Sequence, residues 1–242
     1  MNIQQKTDVG RVRSSNQDAM TVFEITGGHI FAAVCDGMGG ANGGNIASSL
    51  CIQTLEQCLR AEYRAEMSDE EVQGLLAHSI EEASATVYRK AKEDTSLQGM
   101  GTTAVAALVR NHTLILANVG DSRAVLFRDQ TAQQLTKDHS YVQSMVDSGK
   151  ITAKEAATHP KKNIITRAVG VHNAVEADTF VYEFRTGDLL LLCSDGLTNE
   201  LTYETLCQLI ADTPREQLAE KMIAQANTAG GRDNSTVVLI ED

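Results

Sequence analysis

Two Asp-Gly pairs follow apolar runs in this sequence and are its strongest candidates for chemistry. Asp36-Gly37 comes after an apolar run at 30–35, and Asp195-Gly196 comes soon after another at 189–193. Such a run is typical of a buried strand with a carboxylate at its C-terminal end. Glycine beside the acid lets the backbone approach a ligand closely. We therefore expect both pairs to contribute to one oxygen-rich site.

Three further acids, Asp18, Asp121 and Asp233, also stand at the ends of predicted elements beside small or polar residues. No histidine or cysteine lies in the same turns at a spacing typical of metal ligands. Hard oxygen donors without imidazole or thiolate favour Mg²⁺ or Mn²⁺ over Zn²⁺. The acids therefore point to a magnesium or manganese site, if they converge.

Carboxylates brought together repel one another unless cations neutralise them. Two divalent ions about 3.5–4 Å apart, bridged by one carboxylate, would do so and would activate a water molecule as a nucleophile. Asp36 is the candidate for the bridge, and the forked guanidinium of Arg13 is the candidate for holding a phosphoryl group. Asp-Gly and Gly-Asp-Ser are also ordinary turn sequences, and one alone is more often a turn than a ligand. Spacing alone leaves both interpretations open.

The composition limits the domain count and the partners. The chain has 242 residues, is 42% hydrophobic and contains only two prolines, so it can bury a large core without an evident linker. We expect a single domain over 1–242 and a monomer. The net charge of −11 argues against nucleic acid or an anionic membrane as the partner, because both attract clustered Lys and Arg.

The cysteines and the N-terminus indicate a reducing compartment. Five cysteines, an odd number, lie in apolar contexts without a Cys-x-x-Cys pair, which favours reduced thiols over a zinc site or a disulfide frame. The chain begins without an apolar leader, and its apolar runs are far shorter than the ~20 residues of a membrane span. We expect a cytoplasmic protein.

Hydrophobic periodicity predicts the elements that must position the acids. A polar strand at the N-terminus precedes a hairpin of 20–25 and 29–35. Two long helices follow, the second beginning at a Ser68–Glu71 capping box, and both should cover one sheet face. Short strands at 103–109, 113–119 and 123–127 are close enough to be consecutive antiparallel hairpins.

The second half returns from strands to helices. Residues 141–162, with two weak helical turns and a Thr152-x-x-Glu155 box, have the pattern of an inserted surface flap. Strands at 179–184 and 189–193, helices at 203–212 and 215–228, and a strand at 235–240 complete the chain. Pro214 should occupy the first helical position of the last helix. The order fits an α+β sandwich, two sheets between helical layers.

Seven motifs, in order along nearly the whole chain, resemble those of the metal-dependent protein phosphatases of type 2C, particularly the compact bacterial members. The motifs are Arg13-x-x-Asn16-Gln17-Asp18, Asp36-Gly37-Met38-Gly39-Gly40, Gly101-Thr102-Thr103, Asn118-x-Gly120-Asp121-Ser122-Arg123, Thr136-x-Asp138-His139-Ser140, Ser194-Asp195-Gly196-Leu197-Thr198 and Asp233-Asn234-Ser235-Thr236. The resemblance implies a four-layer αββα sandwich with two mainly antiparallel central sheets. It also implies hydrolysis of phosphoserine and phosphothreonine in proteins, reversing a partner kinase in signalling.

The resemblance assigns roles to the acids. Asp36 would bridge two Mn²⁺ or Mg²⁺ ions, with the Gly37 carbonyl and the Asp18 position on one side. Asp195 and Asp233 would lie on the other side, and Asp121 would help Asp195 hold a third, weaker ion. Two further features follow from the matched motifs, a phosphate-binding role for Arg13 and a flap at 141–162 beside the active site.

Departures from the family pattern affect the general acid. Gln17 replaces an acid found in many members, and Met38 and Ala41 stand where eukaryotic and bacterial members carry histidine. A metal-bound water is then the expected proton donor. His139 belongs to a turn and should be structural, His159 in the flap is a weaker candidate, and the other histidines, His29, His78, His112 and His172, have the pattern of surface or turn residues.

Two other functions remain open at this stage. A catalytically silent relative could bind metal or phosphoprotein as a regulatory module, although every matched carboxylate is present. A metal-dependent phosphodiesterase acting on small phosphate esters would use a similar site, although the motif match weighs against it. Turnover of p-nitrophenyl phosphate and analysis of the products from a phosphopeptide and a nucleotide diester separate these functions.

Overall fold

The N-terminal half contains a hairpin, a helical pair and the first strands of the core. The computed structural model describes residues 1–39 and 43–242 in full. The elements of this half are β1 (Asn2–Asp8), β2 (Asp18–Ile25), β3 (His29–Met38), α1 (Gly40–Glu62), α2 (Asp69–Glu93), β4 (Gly101–Thr102), β5 (Ala104–Arg110) and β6 (Thr113–Val119). The predicted hairpin and both helices are confirmed, and the Ser68–Glu71 capping box begins α2.

The C-terminal half contains the remaining strands, the short helices and the last helical pair. Its elements are β7 (Arg123–Arg128), β8 (Thr131–Gln134), α3 (Tyr141–Asp147), α4 (Ala153–Ala157), β9 (Asp178–Glu183), β10 (Leu189–Cys193), α5 (Asp195–Thr198), α6 (Tyr203–Asp212), α7 (Leu218–Ala229) and β11 (Ser235–Glu241). The flap prediction coincides with α3 and α4, and the Thr152–Glu155 box begins α4.

In the described part of the chain, the strands form two antiparallel sheets. One has the order β1-β11-β10-β7-β8, and the other has the order β2-β3-β5-β6-β9, with β4 paired to β3. α1 and α2 pack on the outer face of the second sheet, and α6 and α7 pack on the outer face of the first. A third apolar layer lies between the sheets and includes Val34, Leu116 and Leu192. The predicted αββα sandwich is confirmed.

Burial explains why the central strands are almost wholly apolar. Every residue of β5 and β10 is buried, because each strand has a helical layer on one side and the opposite sheet on the other. Strands covered on both faces lose the apolar–polar alternation of a half-exposed strand. In contrast, β8 lies at a sheet edge, and its residues alternate between exposed and half-buried. Its sequence, Thr-Ala-Gln-Gln, is too polar and too short to predict a strand.

The prediction of consecutive hairpins is wrong at one connection. β5 and β6 pair as expected, but β6 pairs next with β9 and β7 pairs with β10, in the other sheet. The link at 120–122 therefore crosses between the sheets. Two adjacent, fully apolar strands have the same sequence pattern whether their link reverses within a sheet or crosses to another, so spacing could not distinguish these cases.

Two local predictions also need correction. Pro214 does not begin the last helix, because it precedes a 3₁₀ turn at Arg215–Gln217 and α7 begins at Leu218. His29 is not a surface residue. It is buried, and its Nδ1 lies 2.7 Å from the hydroxyl of Tyr63, which also caps the end of α1. The burial of His29 could not be predicted from neighbouring residues, because its partner Tyr63 lies 34 residues further along the chain.

Candidate active site

Asp18 and Asp36 face each other across the first hairpin. They are direct partners in the antiparallel register of β2 and β3. Side chains at directly opposed positions lie on the same face of a sheet, with Cβ atoms about 4.5–5.5 Å apart. The hairpin therefore places two carboxylates side by side at the end of β3.

The Gly101–Thr103 segment fixes the backbone of Asp36. The Asp36 amide donates to Thr103 Oγ1 at 2.8 Å, and the Asp36 carbonyl accepts from the Thr103 amide and the Thr102 hydroxyl, each at 2.9 Å. Thr103 Oγ1 also lies 2.7 Å from Ser122 Oγ, so the segment is tied to the inter-sheet crossing. These bonds hold the candidate bridging ligand by its main chain and leave its carboxylate for the pocket.

Glycine follows Asp36 because other chain segments leave no space for a side chain. A Cβ on Gly37 would lie 2.1 Å from the Gly44 carbonyl oxygen and 2.5 Å from that of Gln17. The Gly37 amide donates to the same Gln17 carbonyl at 3.1 Å. The first Asp-Gly pair thus reflects close packing of β3 against α1 and the segment before β2.

Asp18 joins the two sheets. Its Oδ2 accepts hydrogen bonds from Ser194 Oγ and Thr236 Oγ1, both at 2.7 Å, and these residues belong to the strands of the opposite sheet or adjoin them. Its Oδ1 is buried and has no hydrogen-bond partner among the residues that the structure describes. One oxygen of Asp18 is therefore committed to the fold, and the other is available to a ligand.

Asp195 begins α5, and Ser194 alone separates it from the end of β10. Gly196 packs against the backbone beside Asp233, since a Cβ there would lie 1.9 Å from the Asn234 carbonyl oxygen. The second Asp-Gly pair thus allows α5 to approach the segment that carries Asp233. The Asp195 carboxylate is oriented by Asn199, whose Nδ2 donates to Asp195 Oδ2 at 2.8 Å.

Asp233 contacts Arg13 directly. Arg13 Nη2 lies 2.7 Å from Asp233 Oδ2, and the side chains are 54% and 33% exposed, so this ion pair lies at the rim of the site. Asn234 holds the loop that carries Arg13. Its Nδ2 donates to the carbonyls of Val9 and Ser15, and its Oδ1 accepts from the Gln17 amide.

Asp121 lies in the crossing between β6 and β7 and is only 8% exposed. His139 supports this crossing. Its Nδ1 accepts from the Gly120 amide at 3.1 Å, its amide donates to the Gly120 carbonyl at 2.9 Å, and its Nε2 lies 3.2 Å from Asp178 Oδ2. The backbone and Nδ1 of His139 are thus bonded to Gly120, which supports its expected structural role, while its buried Nε2 lies near Asp178 without a hydrogen bond in the described part of the chain.

One cavity of about 440 Å³ brings together most of the predicted residues. Asp36, Gly37, Asp121, Asp195 and Asp233 line it, together with Arg13, Met38 and the flap-side residues Asn163 and Ile165. Asp18 does not line this cavity, and its Oδ2 is bonded to Thr236 of the opposite sheet and to Ser194, which adjoins that sheet. Met38 thus occupies the wall where the resemblance places a histidine, whereas Ala41, the other departure, lies outside the described residues.

Removal from water and mutual repulsion raise the pKa values of these carboxyls. Burial raises the pKa of Asp36 well above its usual range, and the nearby charges of Asp18 and Asp195 add to this effect. Burial likewise raises the pKa of Asp18 to about 7, against the lowering effect of its bonds from Thr236 and Ser194. For Asp121, burial and the charge of Asp195 raise the pKa to about 8.

The pKa of the Asp195 carboxyl is also raised. Burial is the main cause and the charge of Asp233 adds to it, while hydrogen bonds with Asp36 and Asn199 oppose the rise. Burial is the largest cause for each of the four carboxyls, and repulsion between neighbouring carboxylates adds to it. A bound divalent cation would reverse the rise in pKa by stabilising the ionised carboxylates.

The residues fit a divalent cation in their chemistry and placement. The donors are carboxylate oxygens and a backbone carbonyl, and Asp18 keeps an unpartnered buried oxygen. Among residues 1–39 and 43–242, however, no three His, Cys, Asp or Glu side chains already have an arrangement that could hold one ion. The carboxylates would therefore have to rotate or move closer together as an ion binds.

Some residues that shape the site were not singled out from the sequence. Asn199, Asn234 and Thr103 make the hydrogen bonds that orient Asp195, the Arg13 loop and Asp36. Asn234 and Thr103 occur within motifs that carry the resemblance, so their positions were visible although their roles were not. Asn199 lies just beyond its motif, and only its spacing of four residues from Asp195 gave a signal.

Comparison with known proteins agrees with the fold and the site. The profile of the family described as Protein phosphatase 2C matches residues 10–229. The serine/threonine phosphatase stp of Listeria welshimeri is 42% identical over 243 residues, covering 100% of this chain and 96% of that protein.

Solved structures agree as well. The serine/threonine phosphatase of S. agalactiae superposes with a TM-score of 0.92 at 37% identity, covering 99% of this chain and 98% of that one. The catalytic domain of the serine/threonine protein phosphatase PstP, solved in complex with two manganese ions, has a TM-score of 0.84 at 34% identity, covering 98% and 96%.

The sandwich and its carboxylate pocket define a metal-dependent phosphoprotein phosphatase. The chain belongs to the protein phosphatase 2C family, which confirms the resemblance seen in its motifs. In the described part of the chain, no helix combines the length and apolar character that crossing a membrane requires.

Proposed function

We propose that this protein hydrolyses phosphoserine and phosphothreonine in proteins, in a site that binds two Mn²⁺ or Mg²⁺ ions, and that it reverses a serine/threonine kinase. The observation that carries the proposal is the convergence of Asp36, Asp121, Asp195 and Asp233 on one cavity with Arg13 at its rim. The relatives named as serine/threonine phosphatases, and the manganese ions in PstP, support it.

Each candidate metal ligand would have a separate role. Asp36 would bridge the ions, Gly37 and the Asp18 position would serve one side, and Asp195 with Asp233 would serve the other. Asp121, with Asp195, would hold a third, weaker ion. The ions, when bound, would activate a water molecule and neutralise charge on the phosphoryl group.

Arg13 would orient the phosphoryl group. Its guanidinium already lies within 2.7 Å of Asp233, so it stands beside the carboxylates and is exposed enough to meet a protein substrate. A planar guanidinium can donate two parallel hydrogen bonds to phosphate oxygens. Arg13 would thereby hold the phosphorus in position for in-line attack.

We assign the proton of the leaving serine or threonine oxygen to water rather than to a histidine. Met38 lines the cavity where eukaryotic relatives carry a histidine, and the Nδ1 of His139 is occupied by the hydrogen bond from the Gly120 amide. Burial lowers the pKa of His139, which disfavours the protonated form that a general acid needs. His159 packs beside the Tyr141 ring in the flap.

The test uses a phosphoserine peptide, p-nitrophenyl phosphate and a nucleotide diester, each with Mn²⁺, with Mg²⁺ and with chelator. The proposal predicts metal-dependent release of phosphate from the peptide and from p-nitrophenyl phosphate, with little cleavage of the diester. Metal binding without turnover would show a silent binding module. Faster cleavage of the diester would show a phosphodiesterase. A single sedimentation species at the monomer mass would support the expected monomer.

A further inference from the structure

Asn199 lies one helical turn after Asp195 and contacts it twice. The Asn199 amide donates to the Asp195 carbonyl at 2.7 Å, and Asn199 Nδ2 donates to Asp195 Oδ2 at 2.8 Å. Residues four positions apart lie on the same face of a helical turn. The buried side chains of Leu197 and Leu201 anchor this turn on the body of the protein.

The other end of the Asn199 amide reaches the flap. Lys162 Nζ donates to Asn199 Oδ1 at 2.8 Å, so one side-chain amide accepts from the flap and donates to a candidate metal ligand. A carboxamide can do both at once, whereas a carboxylate has no hydrogen to donate. This geometry gives a reason for asparagine at the position.

The bond from Lys162 lies beside a second cavity, also of about 440 Å³, between the flap and the body. Val146 and Ala156 line it from α3 and α4, Leu201 lines it from the body, and Lys162 and Asn199 line it as well. Val142 is the one buried residue of α3, and α4 buries none, so few packed side chains fix the flap and a single polar contact can influence its position. Asp195 and Asp121 line both cavities, so the two spaces meet at the carboxylates.

We propose that Asn199 is a positioning residue that orients the Asp195 carboxylate for metal binding and, through Lys162, couples the flap to that ligand. The inference rests on the proposed role of Asp195 as a ligand. Partners that orient a metal ligand commonly change metal affinity or activity by about 10–100-fold when they are removed. Because the Lys162 bond is exposed, it should affect the protein mainly through Asn199, not through overall stability.

The test compares Asn199→Ala, Lys162→Met and the double variant by Mn²⁺ calorimetry on the metal-free protein. Lys161→Met is the matched control, because Lys161 lies over the Tyr141 ring, 5.3 Å from its centroid, and its substitution removes the same charge from the same exposed segment. We expect Asn199→Ala to weaken Mn²⁺ binding about 10–100-fold. Lys162→Met should weaken it by a smaller factor, and Lys161→Met should leave it unchanged.

The double variant distinguishes coupling from two separate effects. If Lys162 acts through Asn199, the Lys162→Met substitution should have no further effect on Mn²⁺ affinity in the Asn199→Ala background. Equal Mn²⁺ affinity in wild type and Asn199→Ala would overturn the positioning role, and additive losses in the double variant would overturn the coupling. A lower melting temperature with unchanged Mn²⁺ affinity would mean that Asn199 only ends a helix.

The wild-type protein separates this inference from the proposed function. If the wild type binds Mn²⁺ and dephosphorylates a phosphoserine peptide while Asn199→Ala binds Mn²⁺ equally well, only the inference fails. If the wild type neither binds Mn²⁺ nor releases phosphate, the proposed function fails, and the inference fails with it. Kinetics on p-nitrophenyl phosphate should show the loss in Asn199→Ala as a higher Mn²⁺ requirement.

Discussion

Asp121 is a carboxyl group whose environment favours its neutral form. Burial and the charge of Asp195 raise its pKa to about 8, whereas an unfolded aspartate has a pKa of about 3.9. The folded, metal-free protein therefore binds a proton that the unfolded chain releases above about pH 4. The stability associated with this proton is present at low pH and is lost as the pH rises toward 8.

Asp121→Asn should consequently raise the melting temperature of the metal-free protein at pH 8, by at least about 2 °C if removing the buried, repelled charge relieves about 1 kcal/mol. The difference from wild type should shrink as the pH falls toward 4. Differential scanning calorimetry in chelator across this range measures it. Asp129→Asn at an exposed turn is the control and should have little effect at either pH. A variant less stable than wild type at pH 8 would show that ionised Asp121 is compensated in the fold.

Arg13 should contribute to substrate binding far more than to stability. Its ion pair with Asp233 is exposed, and such pairs contribute about 0–1 kcal/mol. A charge-assisted bond to phosphate contributes about 1.5–3 kcal/mol, so Arg13→Ala should raise KM for a phosphopeptide about 10–100-fold with a nearly unchanged melting temperature. Arg11→Ala is the control. If Arg11→Ala raises KM and Arg13→Ala does not, the phosphate-binding role belongs to the other arginine.

At the scale of elements, the site depends on segments that approach each other at glycine. Gly196 lets α5 lie against the backbone of Asn234, next to Asp233, and a Cβ there would be 1.9 Å from a carbonyl oxygen. Backbone atoms at that distance must shift, because no flexible side chain is there to move aside. The distance between Asp195 and Asp233 therefore depends on this glycine.

Gly196→Ala should lower both the melting temperature and the Mn²⁺ affinity, as scanning and titration calorimetry would show. Gly74→Ala is a control of the opposite sign. Gly74 lies within α2, and a Cβ added there would meet no neighbouring atom within 4 Å, so alanine should stabilise the helix by up to about 1 kcal/mol. Unchanged Mn²⁺ affinity in Gly196→Ala would indicate that the metal site tolerates displacement of α5.

The elements with strong local patterns could be predicted from the sequence, and those defined by distant contacts could not. The apolar runs at β3 and β10 and the capping box of α2 depend on neighbouring residues, and each was correctly predicted. The crossing at 120–122 and the burial of His29 depend on partners far along the chain, whereas the edge strand β8 was missed because its four residues are short and polar. Asn199 belongs to the second group, because its importance comes from Lys162 and Asp195 together.

At the scale of the whole molecule, the site lies where the two sheets are joined. Asp36 comes from one sheet, Asp195 and Asp233 adjoin strands of the other, and Asp18 bonds across through Ser194 and Thr236. The sequence resemblance implied this architecture, but periodicity alone could not place β2 and β10 in different sheets. The buried acids are unfavourable to the metal-free fold, and we infer that the surrounding hydrogen bonds from Thr103, Ser194 and Asn234 maintain their placement.

The most direct test of this account is Mn²⁺ titration of the wild type and Asp36→Asn by calorimetry, with phosphate release from a phosphoserine peptide measured on the same samples. The account predicts that the wild type binds about two Mn²⁺ ions and requires them for turnover. It predicts that Asp36→Asn lowers both the Mn²⁺ affinity and the turnover at least about 100-fold. The metal-free melting temperature of this variant should equal or exceed that of the wild type, because the substitution removes a buried charge that its neighbours repel. An Asp36→Asn protein that keeps wild-type Mn²⁺ affinity and turnover would contradict it.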